Sequence, residues 1–131
     1  MDKTSSLIAV VDDEQSIRRA LLRLLRSAGF NAQAFASGRE LLSSLAARSP
    51  QCVVLDLNMP DMSGYEVAQQ LHRIAPETGV VVMTGNQMTD KQQESLLMHV
   101  VRILNKPMDD QLLLSTIQAI LNKRVAPDSV R

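Results

Sequence analysis

Tryptophan is absent, and aromatic residues are confined to Phe30, Phe35 and Tyr65, 2% of the chain. Single-stranded nucleic acids are held on aromatic faces in series, and no such platform can be built here. The lone cysteine, Cys52, allows no internal disulfide, so a reducing cytoplasm is the expected setting. An excess of either charge is also missing: fourteen Lys+Arg balance fourteen Asp+Glu. Proteins that displace phosphate counterions need a basic surface, so no nucleic-acid contact by this chain is expected. No apolar run approaches the roughly 18 residues of a membrane span, and no charged segment followed by an apolar stretch opens the chain. Neither internal repeats nor low-complexity tracts occur. What is present is 131 residues, 45% of them hydrophobic. That is one domain's worth, able to bury about two-thirds of its unfolded surface.

Two hydrophobic periods alternate along it. Leu7 to Val11 is a short apolar run closed by Asp12-Asp13, as in a strand buried on both faces. From Glu14 to Ala28, Ile17, Leu21, Leu24 and Ala28 fall at helical spacing, with Arg18, Arg19, Arg23 and Arg26 on other faces, and Gly29 is a helix stop. Asn31 to Ala36 is a weaker strand. Ser37 and Glu40 form a capping-box pattern for a helix through Ala47. Cys52 to Leu55 is another buried-strand run, ending at Asp56. Ser63 and Glu66 repeat the capping pattern for a helix that fades before Pro76. Val80 to Met83 is a strand leading to Thr84-Gly85. Thr89 and Gln92 open a polar helix to about Met98. Val100 to Leu104 is a fifth strand, and Asp109 caps a last helix with Leu113, Ile117 and Ile120 on one face. Five strand-then-helix units predict an α/β fold with a doubly wound parallel sheet. The domain is expected over 1–122, with 123–131 a tail or linker stub.

Polar residues stand at four of the five strand ends: Asp12 and Asp13, Asp56, Thr84 and Lys106. Open parallel sheets bind ligands beyond the carboxyl ends of their strands, which gathers residues distant in sequence. Three crowded carboxylates repel one another unless a cation or a proton intervenes. Mg²⁺ suits them, since it takes carboxylate and carbonyl oxygens and retains waters. Lysine adds a mobile point charge and threonine a hydroxyl donor. Together these groups fit transfer of a phosphoryl group to an aspartate. Taken singly, each has a plainer use: Asp-Asp as a helix cap, a strand-end Asp as a turn residue. The joint pattern favours chemistry.

The motifs Val10-Val11-Asp12-Asp13-Glu14, Asp56-Leu57-Asn58-Met59-Pro60-Asp61-Met62-Ser63-Gly64, Val82-Met83-Thr84-Gly85 and Asn105-Lys106-Pro107 resemble, in order and spacing, the receiver domain of two-component response regulators. The resemblance covers roughly Leu7 to Leu121. It implies a flavodoxin-like (βα)5 fold with strand order 2-1-3-4-5. It implies that Asp56 takes a phosphoryl group from a phosphohistidine on a sensor histidine kinase or histidine phosphotransfer protein. Mg²⁺ would be held by Asp13 and Asp56 side chains, by the Asn58 main-chain carbonyl, and by Asp12 mostly through water. Thr84 would hydrogen-bond the acyl phosphate, Lys106 would pair with it, and Gly85 would leave access beside it. The Lys106–Pro107 peptide is expected to be cis.

The chain departs from the family pattern where a Gly-Ala pair usually precedes the fifth strand; His99 and Val100 stand there. Ile103 replaces a common aromatic three residues before the lysine, which puts the usual Thr-aromatic relay in doubt. Two other functions fit parts of the pattern. A pseudo-receiver would bind partners without phosphorylation. A haloacid-dehalogenase-like phosphatase would need an acid two residues after its nucleophile, where this chain has Asn58. Elsewhere, Cys52 reads as a buried strand residue, the seven methionines as core fillers and loop contacts, and the four arginines as the solvated face of the first helix. His72 and His99 are not expected to be ligands, being far in sequence from each other and from Cys52. An output domain or a hybrid kinase in a longer chain, and a homodimer through the face of the fourth helix, fifth strand and fifth helix, complete the expectations about partners.

Overall fold

A computed structural model describes residues 6–125. Five strands, β1 (Leu7–Val11), β2 (Asn31–Phe35), β3 (Cys52–Asp56), β4 (Gly79–Thr84) and β5 (Arg102–Asn105), alternate with five helices, α1 (Gln15–Ser27), α2 (Gly38–Ser44), α3 (Gly64–Ile74), α4 (Asp90–Leu96) and α5 (Asp110–Val125). The strands pair in parallel in the order β2-β1-β3-β4-β5. This is the doubly wound, flavodoxin-like α/β fold with strand order 2-1-3-4-5. Every β1 and β3 residue is buried, which explains why these runs are continuously apolar instead of alternating. Ile8, Val10, Val54, Val81 and Met83 face a core layer with Leu21 and Leu25 of α1 and Leu113 and Ile117 of α5. Ala9, Val11, Val53, Leu55 and Val82 face the other layer, with Leu41, Val67, Leu71 and Leu96 from α2, α3 and α4. Cys52 is fully buried in the first layer. No helix of the described residues is long and apolar enough to cross a membrane.

Several boundaries differ from the sequence expectation. Helix α2 stops at Ser44 instead of Ala47, because the Leu45 and Ala47 amides bond three residues back, to Leu42 and Ser44, in a tightened turn. The capping box at Ser37 is not closed. Ser37 Oγ accepts from Glu40 N at 3.2 Å, but Glu40 Oε1 accepts from Ala36 N instead. The boxes at Ser63 and Thr89 are complete. Helix α4 ends at Leu96, two residues early, where His99 N bonds Leu96 O at 2.9 Å. Strand β5 starts at Arg102, not Val100. Val101 N already bonds Val80 O at 2.7 Å, while Val100 is buried in the second layer as part of the α4–β5 connection. Gly29 ends α1 with φ 93°, a conformation only glycine adopts freely. At the other end of the chain α5 continues to Val125; the tail from 126 lies outside the described residues.

Candidate functional site

Parallel strands all present their carboxyl ends on one edge, so Asp12 after β1, Asp56 ending β3, Thr84 ending β4 and Lys106 after β5 come together. One oxygen each from Asp12, Asp13 and Asp56 lie within 4.8 Å of one another. Lys106 Nζ donates to Asp56 Oδ1 at 3.2 Å. The same oxygen accepts from Asn58 N at 3.3 Å, so two donors hold the Asp56 carboxyl in place. Thr84 is buried. Its Oγ1 is engaged with Asn86, accepting from that residue's N at 3.2 Å and donating to its O at 3.3 Å.

Asp12 and Asp56 are buried, whereas Asp13 is exposed. Burial pushes the Asp12 carboxyl above its ordinary value, and the Asp56 and Asp13 charges push the same way. The Glu14 amide, donating to Asp12 Oδ1 at 2.9 Å, and the Lys106 ammonium oppose them. Asp12 Oδ2 is buried and has no hydrogen-bond partner. Buried oxygens are rarely left so, and a hard cation among three carboxylates would satisfy this one. The donor set therefore fits Mg²⁺.

Loop geometry sets the Asp56 side. Gly64 N bonds Leu57 O at 3.0 Å, and a Cβ on Gly64 would lie 2.6 Å from Leu57 Cα and 2.7 Å from Asp56 O. Only glycine lets α3 begin this close to the β3–α3 turn. Gly85 is different, since a Cβ there would meet only Lys106 Cδ at 3.8 Å, an ordinary contact. The Lys106–Pro107 peptide is cis. Ile103 is half-buried and packs against the second core layer.

Three contacts are not legible in the sequence. Asn86 Nδ2 donates to Asn58 Oδ1 at 3.4 Å, joining the loops after β3 and β4 across the site. Arg18, expected on a solvated face, is half-buried and donates to Asp12 O at 2.8 Å, while Arg19, Arg23 and Arg26 are exposed. Helical periodicity marks the apolar face but not a long polar side chain curling back to a strand end. His72 and His99, 27 positions apart, also meet, with ring centroids 5.1 Å apart. They lie near the starts of β4 and β5, at the edge opposite the carboxylates.

Residues 8–118 fit the family model described as the response regulator receiver domain. This chain belongs to the response regulator receiver domain family. It is 34% identical over 116 residues to nodulation protein W of Bradyrhizobium diazoefficiens, covering 88% of this chain and 51% of that protein. Among solved structures, it is similar to chemotaxis protein CheY4 of Vibrio cholerae, with TM-score 0.76 and 30% identity, covering 88% of this chain and 98% of that one. A CheY-like receiver from Methanospirillum hungatei superposes with TM-score 0.85 at 23% identity, over 93% of this chain and 98% of that one, a likeness of fold alone. The receiver spans about half the length of the curated relatives it matches. Membership of this family places the chain in two-component signalling.

Proposed function

We propose that this receiver is a phosphorylation-controlled switch whose phosphoacceptor is Asp56. The observation that carries the reading is a buried Asp56 carboxyl, held 3.2 Å from Lys106 Nζ with Asp12 and Asp13 oxygens within 4.8 Å. A carboxylate oxygen of Asp56 forms the new O–P bond as the N–P bond of a phosphohistidine breaks. The bonding pair returns to the imidazole, which leaves on the sensor kinase or phosphotransfer protein. Lys106 shifts from the carboxylate to a phosphoryl oxygen. Thr84 releases Asn86 and donates its hydroxyl to another. The Asp13 and Asp56 side chains and the Asn58 main-chain carbonyl, with Asp12 mostly through water, would hold Mg²⁺, which would neutralise the carboxylates and the phosphoryl oxygens. Catalysis here is positioning and charge compensation, so it ends with a slow return of phosphate to water.

The complete acidic set favours this reading over a pseudo-receiver, and Asn58, two residues beyond Asp56, leaves no acid for a phosphatase of the haloacid-dehalogenase type. The switch acts on a cytoplasmic partner, on an output domain or hybrid kinase in a longer chain, or on a second copy through the face of α4, β5 and α5. With Ile103 packed in the second core layer, the signal reaches that face without an aromatic swinging inward.

Acetyl phosphate with Mg²⁺ adds one phosphate to the wild type, read by intact-protein mass spectrometry. An Asp56→Asn variant that is phosphorylated equally would remove Asp56 from this role. Partner binding unaltered by beryllofluoride would favour the pseudo-receiver.

A further inference from the structure

We propose that a cavity at the amino-terminal ends of β4 and β5 binds a small organic anion with an apolar body. The cavity is about 600 Å³, within the roughly 300–1,000 Å³ typical of small-molecule sites. Four parts of the chain wall it: the segment from His72 to Val80, the α4–β5 connection, the start of β5, and α5 from Ser115 to Lys123.

Its lining selects for charge. Val80, Val100, Ala119 and Ile120 provide apolar surface. Gly79 brings β4 so close to α5 that a Cβ there would lie 2.6 Å from Ile120 Cγ2. The neutral hydroxyls are already committed to backbone carbonyls. Thr78 Oγ1 donates to Pro50 O at 2.8 Å, Thr116 Oγ1 to Leu112 O at 2.7 Å and Ser115 Oγ to the same oxygen at 3.1 Å. They cannot also donate to a sugar or polyol. The side-chain donors left to a ligand are cationic or imidazole. Arg102 and Lys123 are exposed beside the cavity, with no ion pair among the described residues. Glu77, the one carboxylate of the lining, has an interaction of its own. His99 lines the cavity beside His72, with ring centroids 5.1 Å apart. Two exposed cations beside an apolar floor together describe a receptor for a carboxylate on a hydrophobic scaffold.

The proposal is independent of the phosphoacceptor reading, because β4 and β5 separate the two sites by their full length. The test is an amide NMR titration of the full chain with 2-naphthoate, with neutral 2-naphthylmethanol as control. Saturable shifts are expected at residues 72, 78–80, 99–102 and 119–123, with roughly tenfold weaker binding of the alcohol. Arg102→Gln/Lys123→Gln, a change of two exposed side chains, is expected to weaken naphthoate by roughly tenfold, while Asp56→Asn binds as the wild type does. Non-saturable or scattered shifts, equal binding of the alcohol, or an unaffected double variant would overturn the proposal. Tighter binding of an acidic peptide than of naphthoate at these residues would overturn the small-molecule class.

Discussion

Lys106 Nζ reaches Oδ1 of Asp56, 50 positions earlier in the chain, at 3.2 Å, and this pair ties the loop after β5 to the end of the central strand β3. Asp56 is almost fully buried and Lys106 about one-third exposed, at 4% and 31% side-chain accessibility. The carboxylate is thus held in place while the ammonium has room to follow a new oxygen. Lys106→Ala is expected to slow phosphorylation by acetyl phosphate on the order of 10²-fold, the scale for loss of one charge-stabilising donor. Asp56→Asn should abolish it. Both are read from the rate of phosphate incorporation.

Mg²⁺ should stabilise the folded chain, since its ligands are assembled only there. At a concentration a hundred times its Kd, the gain is about 2.7 kcal/mol. Asp13→Asn removes one of three carboxylates and should abolish most of this shift in the urea midpoint, while leaving the metal-free midpoint nearly unchanged. A variant that keeps the full shift would exclude Asp13 as a ligand.

The Asp12 carboxyl carries the opposite sign in the absence of metal. Its folded value is raised above 3.8, first by burial, so the native state holds a proton that the unfolded state has released. Metal-free stability from this group therefore falls as pH rises from about 3.8 through the raised value, and recovers on acidification. Other carboxylates titrate in the same range, so the difference between wild type and Asp12→Asn isolates the effect. In EDTA the variant should gain stability relative to wild type as pH is raised from 4 to 7. Parallel pH curves would remove the Asp12 contribution.

Two glycines beside the site should respond unequally to a methyl group. Gly64→Ala places a Cβ against Leu57 Cα and Asp56 O and is expected to cost about 1–3 kcal/mol of unfolding free energy. Gly85→Ala meets only Lys106 Cδ at 3.8 Å and should stay within about 0.5 kcal/mol of wild type. Urea denaturation measures both.

Cys52 offers a check on the core. It is fully buried, and burial pushes its thiol up to about 12, so it is neither exposed nor ionised. A thiol reagent should leave the native protein unmodified at neutral pH and label one residue once urea has unfolded it. Rapid native labelling would mean that the sheet opens locally around β3.

Much of this was legible because it is written in local patterns. The runs Leu7–Val11 and Cys52–Leu55 can satisfy their apolar residues only between two layers of helices, and the polar residue ending each run marks the carboxyl edge. The capping boxes at Ser63 and Thr89 depend on residues three apart, so both were readable. Where a boundary depended on distant partners, as at Val100, which is taken up by the second core layer instead of β5, local pattern misled.

The sequence by itself determined the fold class and the grouping of Asp12, Asp13, Asp56, Thr84 and Lys106, because strand polarity in a parallel sheet brings strand ends to one edge. Only the tertiary structure decided which atoms meet. Lys106 is tied to Asp56, Thr84 is turned to Asn86, Arg18 holds the Asp12 carbonyl, and His72 joins His99 beside a cavity at the far edge. Side-chain rotamers and the approach of packed elements set these contacts. Neither has a period that can be read along a chain.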